Sequence, residues 1–183
     1  ILEVGENKSP LTLNIIAGSG RTDSYKVETR QVEKKELDEL NRLEKEIYRE
    51  KEIKRLEDTN EKRAEKKLTP FIGFPERPFV VPLVGTADLG ENGGDAEKLT
   101  ELWIGPKGKK GNKFTLDMIT NRKGSETKEK LNCTQVSIKI FDDEKAELDE
   151  YFVVEIIKPA TRLFKASVVD RLYIRIIDDD RPR

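Results

Sequence analysis

The sequence predicts an all-β protein, an antiparallel β-sandwich interrupted by one long, charged helical insertion. Three observations carry that reading. Short segments of alternating apolar and polar residues recur along the chain between Gly, Pro, Asn and Lys-rich turns, at the spacing of a sandwich of about seven strands. Residues 31–70 break the pattern with 12 Lys/Arg, 12 Asp/Glu and no glycine. At 183 residues the chain is long enough for one domain with an insertion and short for two, so residues 1–183 read as a single domain.

Taken in order, Leu11 to Ile16 alternates and then runs apolar, and Ala17-Gly18-Ser19-Gly20 stops it as a turn. Residues 25–32 form a second strand. From Glu33 to Leu68 the period becomes helical, because Leu37, Leu40, Leu43 and Ile47, and then Ile53 and Leu56, recur at spacings of three or four within each group. Asp38 with Arg42, Glu50 with Lys54 and Asp58 with Lys62 place an acid four residues before a base, the favourable order on a helix. A helix of this length spans ~50 Å at ~1.5 Å per residue and is expected to project beyond a small sheet domain.

After Pro70 the β character returns. Phe79 to Val84 reads as a strand whose Pro82 marks an edge or bulge. Leu99 to Ile104, Phe114 to Ile119, Thr134 to Phe141, Tyr151 to Ile157 and Arg171 to Ile177 follow. The clearest alternation lies in Val136-Ser137-Ile138-Lys139-Ile140 and Leu172-Tyr173-Ile174-Arg175-Ile176. Trp103 reads as a core residue.

Charge limits the function. Lys plus Arg is 35 and Asp plus Glu 36, so the balance points to neither a nucleic acid nor a membrane partner. The four lysines between Gly105 and Lys113 lack the interleaved aromatics of a nucleic-acid surface and read as a solvated connection. No apolar run is long enough to cross a bilayer, so membrane contact is expected only through a parent protein. Cys133 is the one cysteine, which excludes an internal disulfide and fits a reducing compartment. Beginning at Ile1 and ending at Arg183, the chain is expected to be a segment of a larger protein.

The acids are the most informative residues. Asp142-Asp143-Glu144, with Glu147 and Glu150 behind, follows one predicted strand, Asp178-Asp179-Asp180 follows another, and Asp95 follows a glycine-rich stretch. Crowded carboxylates repel one another, and a hard cation with six to eight oxygen ligands removes the repulsion; Ca²⁺ tolerates that many carboxylates. The linear pattern of an EF-hand is absent, so such a site must be assembled from distant segments. With no histidine, Ser-His-Asp and Cys-His catalysis and His-based zinc sites are excluded. Acids in runs do not suit a glycosidase, which holds its pair apart. The segment Gly18 to Thr22 lacks the Gly-Lys-Ser/Thr ending of a phosphate loop.

Two segments, Val136 to Ile157 (VSIKIFDDEKAELDEYFVVEII) and Leu172 to Asp180 (LYIRIIDDD), resemble the signature segments of Calx-β domains. These immunoglobulin-like sandwiches occur in the cytosolic loop of sodium/calcium exchangers and in extracellular matrix, adhesion and integrin chains. Gly85-Thr86-Ala87 is similar to a turn of the family, and Val4 to Asn7 to the start of its first full strand. The resemblance covers residues 1–24 and 76–183; it departs at Glu144, where Asp is usual, and at Ala96, where an aromatic is usual. The helical insertion lies outside it.

The resemblance implies calcium ligation by Glu6, Asp95, Asp142, Asp143, Glu147, Glu150, Asp178, Asp179 and Asp180. It also implies an immunoglobulin-like sandwich acting, without enzymatic activity, as a calcium-binding regulatory or interaction module. Expected partners are neighbouring domains of the parent chain and a protein docking on helix 33–68. The lone cysteine and the Lys/Glu-rich helix favour a cytoplasmic setting, as the cytosolic part of a membrane protein; an extracellular repeat is the alternative. The rival function is a structural spacer with a degenerate calcium site whose helical arm makes the contacts.

Overall fold

The computed structural model describes residues 1–17, 24–71, 84–100, 102–104, 112–122 and 124–180. The elements are β1 (Leu2–Gly5), β2 (Leu11–Ala17), β3 (Tyr25–Gln31), α1 (Lys34–Glu65), β4 (Gly85–Thr86), β5 (Leu89–Gly90), β6 (Ala96–Glu97), β7 (Leu102–Ile104), β8 (Asn112–Arg122), β9 (Ser125–Ile138), β10 (Glu150–Lys158) and β11 (Ser167–Ile177). They divide into two compact units, residues 1–32 with 85–183, and residues 33–84.

The antiparallel immunoglobulin-like sandwich expected from the sequence is not what forms. The chain is mostly β with one helix among the described residues, and its main sheet is curled and mixed, in the order β1-β11-β10-β3-β7, with β4 also on β10. β1 runs parallel to β11, Leu2 opposite Ile174, and β4 runs parallel to β10, Gly85 opposite Glu150. Alternation in a sequence sets which face of a strand is buried, but the direction of its neighbour is settled by pairing across the whole chain. β2, β9 and β8 make a separate three-stranded antiparallel sheet.

Apolar side chains of both sheets meet in one core, where Val27, Ile138, Phe152 and Ile174 are fully buried. Tyr151 and Val153 are also fully buried, so β10 is covered on both faces. This suits its central place in the sheet. Trp103 is only partly covered on β7, short of the core position expected for it. Thr29, buried on β3, is satisfied twice: its hydroxyl donates to the Glu97 carbonyl at 2.9 Å and accepts the Leu99 N–H at 2.7 Å. That clip holds residues 97–99 against β3.

In the second unit, α1 starts where the Glu36 carboxylate accepts the Glu33 N–H at 2.9 Å, half of a capping box. Its surface is tied by ion pairs, although Arg42 pairs with Glu39 and Glu46, both at 2.5 Å, and not with the Asp38 expected from the spacing. Leu40 is buried, Leu37, Leu43, Ile53 and Leu56 are partly covered, and Ile47 is exposed. At the far end Lys67 takes a positive φ and the Leu68 N–H bonds back to the Arg63 carbonyl at 2.8 Å, closing the helix. Asn60 then exchanges two hydrogen bonds with the Phe71 backbone, and the Arg63 guanidinium lies 4.4 Å from the Phe71 ring centroid. All of the strand expected over Phe79 to Val84 except Val84 itself, the turn at Gly18 to Gly20 and most of the lysine-rich loop after Gly105 lie outside the described residues.

Candidate metal centre

Strand ends and one loop bring the predicted acids together. The Glu6 N–H donates to the Ile177 carbonyl at 3.1 Å, extending the β1–β11 ladder by one residue and setting Glu6 beside the Asp178–Asp180 run. β10 begins at Glu150, opposite Ile176, because it runs antiparallel to β11. The Asp95 carbonyl accepts the Phe141 N–H at 2.9 Å, and Ala96 bridges Ile140, so the Asp95 loop lies along the chain that enters Asp142. That loop turns back at Gly94, whose φ of 91° and approach to the Asp88 carbonyl leave no place for a side chain.

Two sets of carboxylate oxygens result among the described residues. One draws on Glu6, Asp142, Asp179 and Asp180, the other on Asp95, Glu147 and Glu150; within each set the oxygens lie within 4.8 Å of one another. The sets adjoin, since Glu6, Asp95, Glu147, Glu150 and Asp178 line one small pocket floored by Ile176 and Leu148.

The two remaining predicted ligands are placed differently. Asp178 accepts the Glu147 N–H at 2.8 Å and the Asp180 N–H at 2.9 Å, so it orders the turn between the sets while facing the shared pocket. Asp143 is turned to Lys145, accepting its N–H at 2.7 Å with the ammonium at 3.1 Å, and belongs to neither set. These contacts hold its carboxyl below the usual range.

Burial, reinforced by neighbouring negative charge, raises three of the carboxyls. Burial, then the charges of Asp178, Asp143 and Asp142, pushes Glu6 up to about 7 although the Asp143 N–H bonds to it and opposes the shift. Burial and a hydrogen bond with Asp95, with further charge from Glu147 and Asp88, push Glu150 up to about 8. Asp180 is raised by burial and by the acids around it. Such shifts mark carboxyls withdrawn from water and set beside like charges.

Three supporting residues are not among the ligands expected from the sequence. Asp149 accepts from the Arg175 guanidinium and, at 3.3 Å, from the Asp178 N–H. The Asn7 amide donates to Asp179, and Asp88 adds negative charge near Glu150. Asp149 lay in plain view inside an acidic run, but only its partner on β11 distinguishes it from its neighbours. Gly85 matters for what it lacks: a Cβ there would stand 3.0 Å from the Glu150 Oε1.

The donor set fits Ca²⁺. Every contributing atom is a carboxylate oxygen, and Ca–O distances of about 2.3–2.6 Å allow two ligands of one ion to lie up to about 5 Å apart. The spacing within each set meets that limit. Zinc would call for nitrogen or sulfur, and the chain has no histidine while Cys133 is buried on β9. No protein-family model matches the chain, and neither a curated protein nor a solved structure is significantly similar to it.

Proposed function

We propose that this chain is a non-enzymatic calcium-binding module of a larger protein, related to the Calx-β domains its acidic segments resemble. One observation carries the reading: seven carboxylates from four separate stretches of chain converge in two adjoining sets whose spacing suits Ca²⁺. Glu6, Asp142, Asp179 and Asp180 would hold one ion; Asp95, Glu147 and Glu150 would hold a second, with Asp178 between them. The bound ion would supply positive charge where the folded chain gathers many carboxylates around the one ammonium of Lys145.

Regulation follows from differential binding. The converged arrangement of Glu6, the 142–150 segment and the 178–180 turn is the one that offers several oxygens at once, so calcium shifts the population towards it. These segments adjoin β1, β9, β10 and β11, and ordering them stiffens that end of the sheet. We place the module in the cytosol, as part of a membrane protein that responds to calcium, with neighbouring domains as its first partners.

A second reading has its own support. Ile47 and Tyr48 lie exposed on α1, 44% and 39% accessible, among charged residues. A structural module that contacts a protein through this helix would use them, whether or not calcium binds.

The experiment is a pair of thermal melts, one in millimolar calcium and one in chelator. At a hundredfold excess over its dissociation constant one site adds about 2.7 kcal/mol of stability. Identical melting temperatures would reject the calcium reading and leave the structural one.

A further inference from the structure

We propose that the connection between β10 and β11 is a membrane-touching tip that docks on an anionic phospholipid surface. The observation is a pair of large apolar side chains at the apex of a loop: Leu163 is 86% exposed and Phe164 72%. Water-facing apolar groups of this size, adjacent and on a turn, are not explained by packing within the chain.

The turn is built, and so its side chains are presented at little further ordering cost. The Thr161 N–H donates to the Phe164 carbonyl at 2.8 Å, and the Phe164 N–H donates to the Thr161 hydroxyl at 3.1 Å. Val168 and Val169, 44% and 51% exposed, follow at the start of β11, on alternate faces of the strand.

Charge chooses the occupant. Between Ile157 and Val169 the ionisable residues are Lys158, Arg162 and Lys165, all cationic and all exposed, in a chain whose net charge is −1. Two apolar side chains flanked by cations suit the headgroup region of a bilayer, where the rings and methyl groups enter the acyl boundary and the cations remain among anionic headgroups. A protein groove would have to bury a far larger area to hold on to so narrow a tip. β10 carries the acidic centre at its first residue, Glu150, and the tip beyond its last, Lys158, so the two lie at opposite ends of one strand. Docking through the tip therefore needs no calcium.

The test is flotation of the whole chain, in chelator, with vesicles of phosphatidylcholine alone and of phosphatidylcholine mixed with phosphatidylserine. The chain should float with the mixed vesicles, less so as salt rises, and remain unbound with phosphatidylcholine. The pair Leu163→Ser and Phe164→Ser should lower binding by about tenfold or more, as should Arg162→Gln with Lys165→Gln, which should also flatten the salt dependence. Should the double apolar variant lose its fold, Leu163→Ser alone serves, being the more exposed. No preference for the anionic vesicles, including the case in which the tip binds an acidic protein instead, would overturn the proposal. So would binding that survives both pairs of substitutions. Because chelator is present throughout, these results are independent of whether the acidic centre takes up calcium.

Discussion

Asp149, just before β10, and Arg175 on β11 form a two-point ion pair, with Nε at 3.1 Å and Nη2 at 2.5 Å from the same carboxylate oxygen. The other oxygen of Asp149 receives the Asp178 N–H. One side chain outside both ligand sets thus ties the acidic 142–150 segment to the end of β11. Asp149→Asn should cost about 1–3 kcal/mol in stability, since a partly buried, charge-assisted contact is lost. It should also weaken calcium binding by displacing Asp178. Melting in chelator and calcium titration read the two effects; a variant unchanged in both would show the pair to be incidental.

The raised carboxyls impose a pH dependence. Glu6 and Glu150 have an ordinary value of 4.5 and stand at about 7 and about 8 in the folded chain. Between those values the folded state binds more protons than the unfolded, so metal-free stability is full below pH about 4.5 and falls as pH rises through about 7 to 8. Calcium takes up the ionised forms, so its binding at pH 7 should release protons and tighten towards pH 8. Melts in chelator across this range, with calorimetry in buffers of different ionisation heat, measure both. Stability that climbs with pH in chelator would contradict the packing of these two groups.

Neighbouring aspartates should differ. Asp142 contributes an oxygen to the first set, whereas Asp143 is held by Lys145. Asp142→Asn is therefore expected to weaken calcium binding by about tenfold or more, and Asp143→Asn by clearly less. Isothermal titration of the two variants decides it, and the reverse order would mean that calcium draws Asp143 away from Lys145.

The helical unit should be removable. Gln31, at the end of β3, faces Phe152, and Gly85, at the start of β4, faces Glu150, so the chain leaves and rejoins β10 two residues apart, about 7 Å. A short Gly/Ser linker in place of Glu33–Val84 closes that gap with little entropic cost. Circular dichroism should remain β-rich and calcium should still raise the melting temperature. A variant that fails to fold would assign Leu40 and its neighbours to the core of the sheet unit.

Local pattern was enough to find most elements. The alternation of Val136 to Ile140 and Leu172 to Ile176, and the helical recurrence from Leu37 to Leu56, follow from geometry within a few residues, and the structure has β11 and α1 there and β9 as far as Ile138. The acids were legible for the same reason, because runs such as Asp178-Asp179-Asp180 stand out in any chain. What local pattern does not contain is partnership across distance. The parallel seating of Leu2–Gly5 on β11, which replaces the expected antiparallel sandwich with a curled mixed sheet, joins residues at opposite ends of the chain. The same long-range pairing sorts the acids into two sets, turns Asp143 out to Lys145 and gives Asp149 its place beside Arg175. Residue type sets what a side chain is able to bind, and the tertiary fold decides which oxygens come close enough to bind it together.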